Sequence, residues 1–178
     1  MIILGVDPGT ICTGYGIVKF VNDELTYVAS GIINTPKTKE LPPRLEAIYD
    51  RLYEVINKYH PDTFALETAF YGKNVQSTLK IGYARGVSLL AAAHNELKIF
   101  EYSPREIKKS VVGNGSSSKE QVQYMIKTLL RIDVKTKKLD ETDALAVAIC
   151  HAFNNGKKKT KNSSWKSFVE SNPDRIVK

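Results

Sequence analysis

The chain has 178 residues, 42% of them hydrophobic, and a formal net charge of +7, enough for one domain of about 150 residues with a proper core and too little for two substantial ones. There is no run of about 20 apolar residues and no signal-peptide pattern at the N-terminus, so a soluble, cytoplasmic protein without a membrane partner is expected. Cys12 and Cys150 are too few for a disulfide framework and have no zinc-ligand spacing.

Residues 1–6 form a nearly all-apolar run that reads as a buried strand, broken by Asp7-Pro8-Gly9-Thr10. Residues 14–21 and 25–33 are two further strands, and the Asn22-Asp23-Glu24 link between them suits a hairpin. Leu45, Ile48, Leu52, Val55, Ile56 and Tyr59 then recur at helical spacing after Pro42-Pro43. Pro61-Asp62 ends that helix, and a short strand at 63–66, reached through it, should lie parallel to a neighbour. A long helix over 74–97 carries Leu79, Gly82, Gly86, Leu89, Leu90 and Ala93 along one side, which reads as core packing.

A strand at 99–102 follows, and Ser103-Pro104-Arg105-Glu106 has the form of a capping box opening a short helix. Ser118-Lys119-Glu120-Gln121 is a second box, starting a helix to about residue 130, and Asp140 caps the last helix, to about residue 153. The order βββαβαβααα predicts an α/β fold, a five-stranded mixed sheet flanked by helices, over residues 1–155. Residues 156–178 hold seven basic and two acidic residues and read as a flexible basic tail. Within the domain, residues 104–138 hold nine basic residues against three acidic ones, so a local basic surface is expected wherever the tail goes.

Four carboxylates stand against apolar sequence rather than on polar faces. Asp7 ends the first strand, Glu67 ends Phe64-Ala65-Leu66, and Asp140 and Asp143 open the apolar run of the last helix. Acids are rarely set at the edge of a core without a partner. Two like charges about 4 Å apart cost roughly 4 kcal/mol at an effective dielectric near 20, so a gathered cluster calls for a cation. All-oxygen ligation suits Mg²⁺, with Mn²⁺ as a substitute, and Mg²⁺ takes further oxygens from phosphate substrates. Two ions about 3.5 to 4 Å apart could drive in-line phosphodiester hydrolysis with no side-chain nucleophile. Taken singly, Asp7 reads equally as a turn cap, and Asp140 with Asp143 as ordinary helix capping. The joint pattern favours a metal site.

Residues 3–10 (Ile-Leu-Gly-Val-Asp-Pro-Gly-Thr), Thr13-Gly14-Tyr15-Gly16, Leu66-Glu67 with Phe70 and Lys73-Asn74, Ala84-Arg85-Gly86-Val87, Val111-Val112-Gly113-Asn114-Gly115 and Asp140-Glu141-Thr142-Asp143-Ala144-Leu145-Ala146 together resemble the RuvC family of Holliday-junction resolvases. The resemblance runs in order to about residue 153. It implies a ribonuclease H-like fold, a homodimer acting on four-way junction DNA with Mg²⁺, the long helix from Asn74 as the dimerisation element, and junction delivery by RuvA and RuvB. It places the catalytic, metal-binding acids on Asp7, Glu67, Asp140 and Asp143. It also implies base stacking by Phe70, DNA contacts at Lys73 and Arg85, and phosphate binding or charge stabilisation by Lys108 and Lys119.

The loop at 113–118 leads into a helix and lacks the Gly-Lys-Ser/Thr ending of a nucleotide-binding P-loop, so it suggests a phosphate cradle without nucleotide hydrolysis. An actin-like or sugar-kinase ATPase also opens on a strand ending Asp-x-Gly-Thr, but needs a second similar domain. A ribonuclease H-like nuclease acting on RNA or duplex DNA, or a silent nucleic-acid-binding module, are the remaining alternatives.

Overall fold

The computed structural model describes residues 1–68, 75–132 and 139–156. The expected roles of Phe70 and Lys73 and of the basic tail lie outside the described residues. The elements run β1 (Ile2–Asp7), β2 (Cys12–Val21), β3 (Glu24–Asn34), α1 (Pro42–Tyr59), β4 (Thr63–Glu67), α2 (Val75–His94), β5 (Lys98–Tyr102), α3 (Pro104–Val112), α4 (Lys119–Leu130) and α5 (Leu139–Gly156). The sequence predicted this order. It set the boundaries of β2 and β3 short and made Asp140 a cap, whereas Asp140 lies inside the first turn of α5.

The sheet order is β3-β2-β1-β4-β5. β1 pairs antiparallel with β2 and parallel with β4, and β4 pairs parallel with β5. Asn22 and Asp23 both have positive φ, as a tight two-residue hairpin between β2 and β3 requires. The links into the helices follow the chemistry of their residues. Proline opens α1, where the missing N–H leaves no bond unmade, and His60 closes it in the left-handed region. Ser103 and Ser118 each complete a capping box, with Glu106 and Gln121 reaching back to the cap.

Strand alternation decides which side chains face which layer. Leu4, Val6, Phe64 and Leu66 pack with α1 and α2 on one face, while Ile3 and Ala65 pack with α3, α4 and α5 on the other. Asp7 and Glu67 continue the second set. The α5 helix lies on β1 and β2 at very short range because Gly5, Gly14 and Gly16 present no side chain to it. A Cβ on Gly5 would stand 2.3 Å from the Ala144 carbonyl oxygen, and one on Gly14 would stand 2.1 Å from that of Asp140. These glycines seat the acidic N-terminal turn of α5 over the end of β1.

The α2 helix corrects the expected packing. Its buried residues are Ala84, Ser88, Ala91 and Ala92, small side chains that let it settle closely on the domain. The side with Leu79, Gly82, Gly86 and Leu90 faces outward: Leu79 is 53% and Leu90 48% exposed, and a Cβ on either glycine would meet nothing within 4 Å. An apolar stripe at helical spacing was therefore an incorrect guide to the core, because a row of alanine and serine on another face fits the available gap better.

Candidate active site

The parallel register Val6↔Leu66 puts Asp7 and Glu67 next to each other at the C-terminal ends of the two central strands. Asp143 comes down on them from α5. With Lys108 from α3 and Lys119 from the start of α4, they line one open cleft of about 410 Å³, whose apolar walls include Ile81, Ile107 and Val122. Three of the four expected acids and both expected lysines thus converge from five different elements.

Asp140 stands apart from this cleft. Three residues before Asp143 on α5, it points toward the start of β2, where the Cys12 thiol donates to its Oδ2 at 3.1 Å. It still acts electrostatically on Asp7. Cys12 read as an incidental thiol in the sequence. Its position at the start of the strand that pairs with β1 was the available signal for a site contact.

The electrostatics of the cleft are those of crowded acids. Burial, then the charges of Asp143 and Asp140, push the Asp7 carboxyl from its ordinary 3.8 up to about 6, against an opposing pull from Lys119. Burial, then Asp7 and Asp143, push Glu67 from 4.5 up to about 7, with Lys119 and Lys108 opposing. Lys119 donates to Asp143 Oδ2 at 2.9 Å, and that bond raises its own pKa, so it stays charged. Carboxyls whose pKa values are raised by burial and then by mutual repulsion are groups that a hard cation would ionise and bind. The oxygen-only donor set fits Mg²⁺ or Mn²⁺. Among the described residues no three His, Cys, Asp or Glu side chains already form a metal cage. Asp7, Glu67 and Asp143 are the residues that would hold such an ion, and Asp143 is paired with Lys119 in its absence.

Arg85, expected at the DNA, is half-buried and ion-paired with Glu101 at 2.7 Å, so the structure ties it to β5 rather than to the cleft. His151 is fully buried, its Nδ1 sharing a 2.7 Å hydrogen bond with the Tyr102 hydroxyl, and it belongs to the core.

The family model described as Crossover junction endodeoxyribonuclease RuvC matches residues 3–151. The chain belongs to the RuvC family. Among its relatives, the Crossover junction endodeoxyribonuclease RuvC of Cytophaga hutchinsonii is 45% identical over 175 residues, 98% of this chain and 88% of that protein. The one from Chloroherpeton thalassium is 45% identical over 186 aligned positions and the full length of both. The solved structure described as T. thermophilus RuvC in complex with Holliday junction substrate superposes with a TM-score of 0.81 at 28% identity, covering 87% of this chain and 94% of that one. The RuvC match spans every element that builds the cleft, from β1 through the acidic turn of α5. With RuvC neighbours of this likeness, the sheet and helices are a ribonuclease H-like fold.

Proposed function

We infer that this chain is a crossover junction endodeoxyribonuclease that resolves four-way DNA junctions, the activity named for its relatives, with Asp7, Glu67 and Asp143 as Mg²⁺ ligands in the cleft and Asp140, on family membership alone, as the fourth. The observation that carries the reading is the meeting of Asp7, Glu67 and Asp143 with two lysines in one open cleft at the ends of the central strands. Family membership supports the substrate, and the raised carboxyl pKa values support the cation.

When bound, the ions would supply an activated water and neutralise charge on the phosphate as the strand is cut. The chain's own residues prepare that event. Asp7 and Glu67 stand on adjacent strand ends, so they would hold an ion from rigid backbone rather than from a loop. Lys119, bonded to Asp143 and lining the cleft, is placed to donate to a non-bridging oxygen of the scissile phosphate. Lys108 presents a second positive charge to the same cleft.

Residues 69–74 follow directly from Glu67 and Thr68 at the rim of the cleft, which supports DNA contacts at Phe70 and Lys73. The outward side of α2, with Leu79, Gly82, Gly86 and Leu90, is an apolar surface with a glycine groove and supports pairing with a second copy through this helix. Two copies would present two clefts to the symmetric strands of a junction. Delivery of the junction by a RuvA and RuvB complex is proposed on family membership alone.

The test is cleavage of a mobile four-way junction, the matching duplex and an RNA–DNA hybrid in Mg²⁺. Paired nicks in the junction alone are expected. Equal cutting of all three would point to a general ribonuclease H-like nuclease, and binding without cutting to a silent module.

A further inference from the structure

A second cleft adjoins the first. It has a volume of about 380 Å³ and is walled by Arg105 and Lys108 from α3 and by the turn at Asn114, Gly115 and Ser116. Pro104 and Lys108 line both clefts, so a strand leaving the carboxylates on that side passes directly into it. We propose that this second cleft binds a backbone phosphate of the cut strand, next to the scissile one, with Arg105 as its principal cation. The proposal rests on the junction-nuclease reading and adds a positioning site outside the carboxylate cluster.

Three features of the cleft support a phosphate. First, its cations are uncommitted: among the described residues no ion pair joins Arg105 or Lys108 to a carboxylate. The acids nearest in sequence are otherwise engaged, Glu101 with Arg85 at 2.7 Å. Glu106 accepts from the Ser103 amide at 2.8 Å and the Ser103 hydroxyl at 2.6 Å, and Glu120 turns to Ser118 on the solvent side of α4.

Second, the arginine is braced. A Cβ on Gly115 would stand 2.6 Å from Arg105 Cγ and 3.4 Å from Nε, so the side chain lies across the bare backbone of that glycine. This fixes the guanidinium's approach, and bidentate phosphate binding depends on that orientation. Third, the turn opposite is held by its own side chains. Asn114 Oδ1 accepts from the Ser116 amide at 3.1 Å and from the Ser116 hydroxyl at 2.8 Å, which gives the cleft a fixed wall. A phosphate contact of this kind sets register without reading sequence, as cutting at a defined bond requires.

The experiment compares the full-length wild type with Arg105→Gln and Gly115→Ala on mobile junctions carrying a single uncharged methylphosphonate at successive positions beside the scissile bond. In the wild type one position should weaken junction binding by about five- to tenfold, and in Arg105→Gln that penalty should vanish while those at other positions persist. Arg105→Gln should also lower the slope of log K against log salt by about 1 and raise KM with kcat nearly kept. Gly115→Ala, which displaces the arginine but keeps its charge, should behave like Arg105→Gln in the methylphosphonate series and like the wild type in overall charge. A penalty pattern in Arg105→Gln identical to that of the wild type overturns the proposal. Failure of the wild type to distinguish a junction from a duplex overturns instead the reading beneath it.

Discussion

Neutralising Asp7 should stabilise the ion-free protein while destroying its activity. In the fold the Asp7 carboxyl is pushed from 3.8 to about 6, chiefly by burial and then by Asp143 and Asp140. The folded chain therefore binds this proton more tightly than the unfolded chain does. Its stability falls as pH rises from about 4 through 6, and at pH 7.5 the full penalty is present. A rise of that size corresponds to at most about 3 kcal/mol, reduced by partial exposure to about 1–3 kcal/mol. Asp7→Asn removes the charge and keeps the shape, so in a chelator at pH 7.5 the variant should melt about 3–8 °C above the wild type. At pH 4 both side chains are neutral and the difference should disappear. Adding Mg²⁺ should raise the wild type more than the variant, because only an intact site gains from binding the ion. Thermal denaturation with and without chelator at the two pH values measures all of this. A variant no more stable than the wild type at pH 7.5, or equally stabilised at pH 4, would refute the view that unrelieved repulsion and burial define the site.

Protons and the ion compete for the same oxygens. The Mg²⁺ concentration giving half-maximal cleavage should therefore rise by about tenfold or more as pH falls from 8 to 6, because Glu67 at about 7 and then Asp7 at about 6 take up protons. His151 is buried and held neutral, its pKa lowered from 6.5 to about 4 by desolvation. The unfolded chain takes that proton first as pH falls below 6.5, so up to about 3 kcal/mol of stability should be lost between pH 6.5 and 4. In urea melts, His151→Phe should show a smaller loss over that interval than the wild type. Gly5→Ala would drive a methyl group into the α5 backbone and should cost about 2 kcal/mol or more, with loss of cleavage as Asp143 lifts away. Leu79→Lys with Leu90→Lys on the outward side of α2 should leave the melting transition of the monomer near its original place and convert a dimer to a monomer in sedimentation.

The sequence carried the element order because its signals were local: an apolar strand before Asp7, prolines at helix starts, and two Ser-x-x-Glu/Gln boxes. Asp7, Glu67 and Asp143 were legible because each sits at an edge of an apolar run, and strand register with α5 docking then brings them together. Three features lay beyond it. The inward face of α2 depends on how little room the sheet and α1 leave, so alanines rather than leucines went inside. The separation of Asp140 from Asp143 depends on the rotation of α5 about its axis, set by contact with Gly5, Gly14 and Gly16 and invisible in the three-residue spacing. The Arg85 pairing with Glu101 likewise needed the relative placement of α2 and β5.

On this reading the carboxylates in the cleft perform metal-dependent junction cutting. Its most direct test is single-turnover cleavage of a mobile four-way junction by the wild type, Glu67→Gln and Asp143→Asn, with Mg²⁺ and with chelator. Paired nicks should appear only for the wild type with Mg²⁺, and both variants should still bind the junction while cutting at least about a thousandfold more slowly. Cutting in chelator, or variants within about tenfold of the wild type, would contradict the claim.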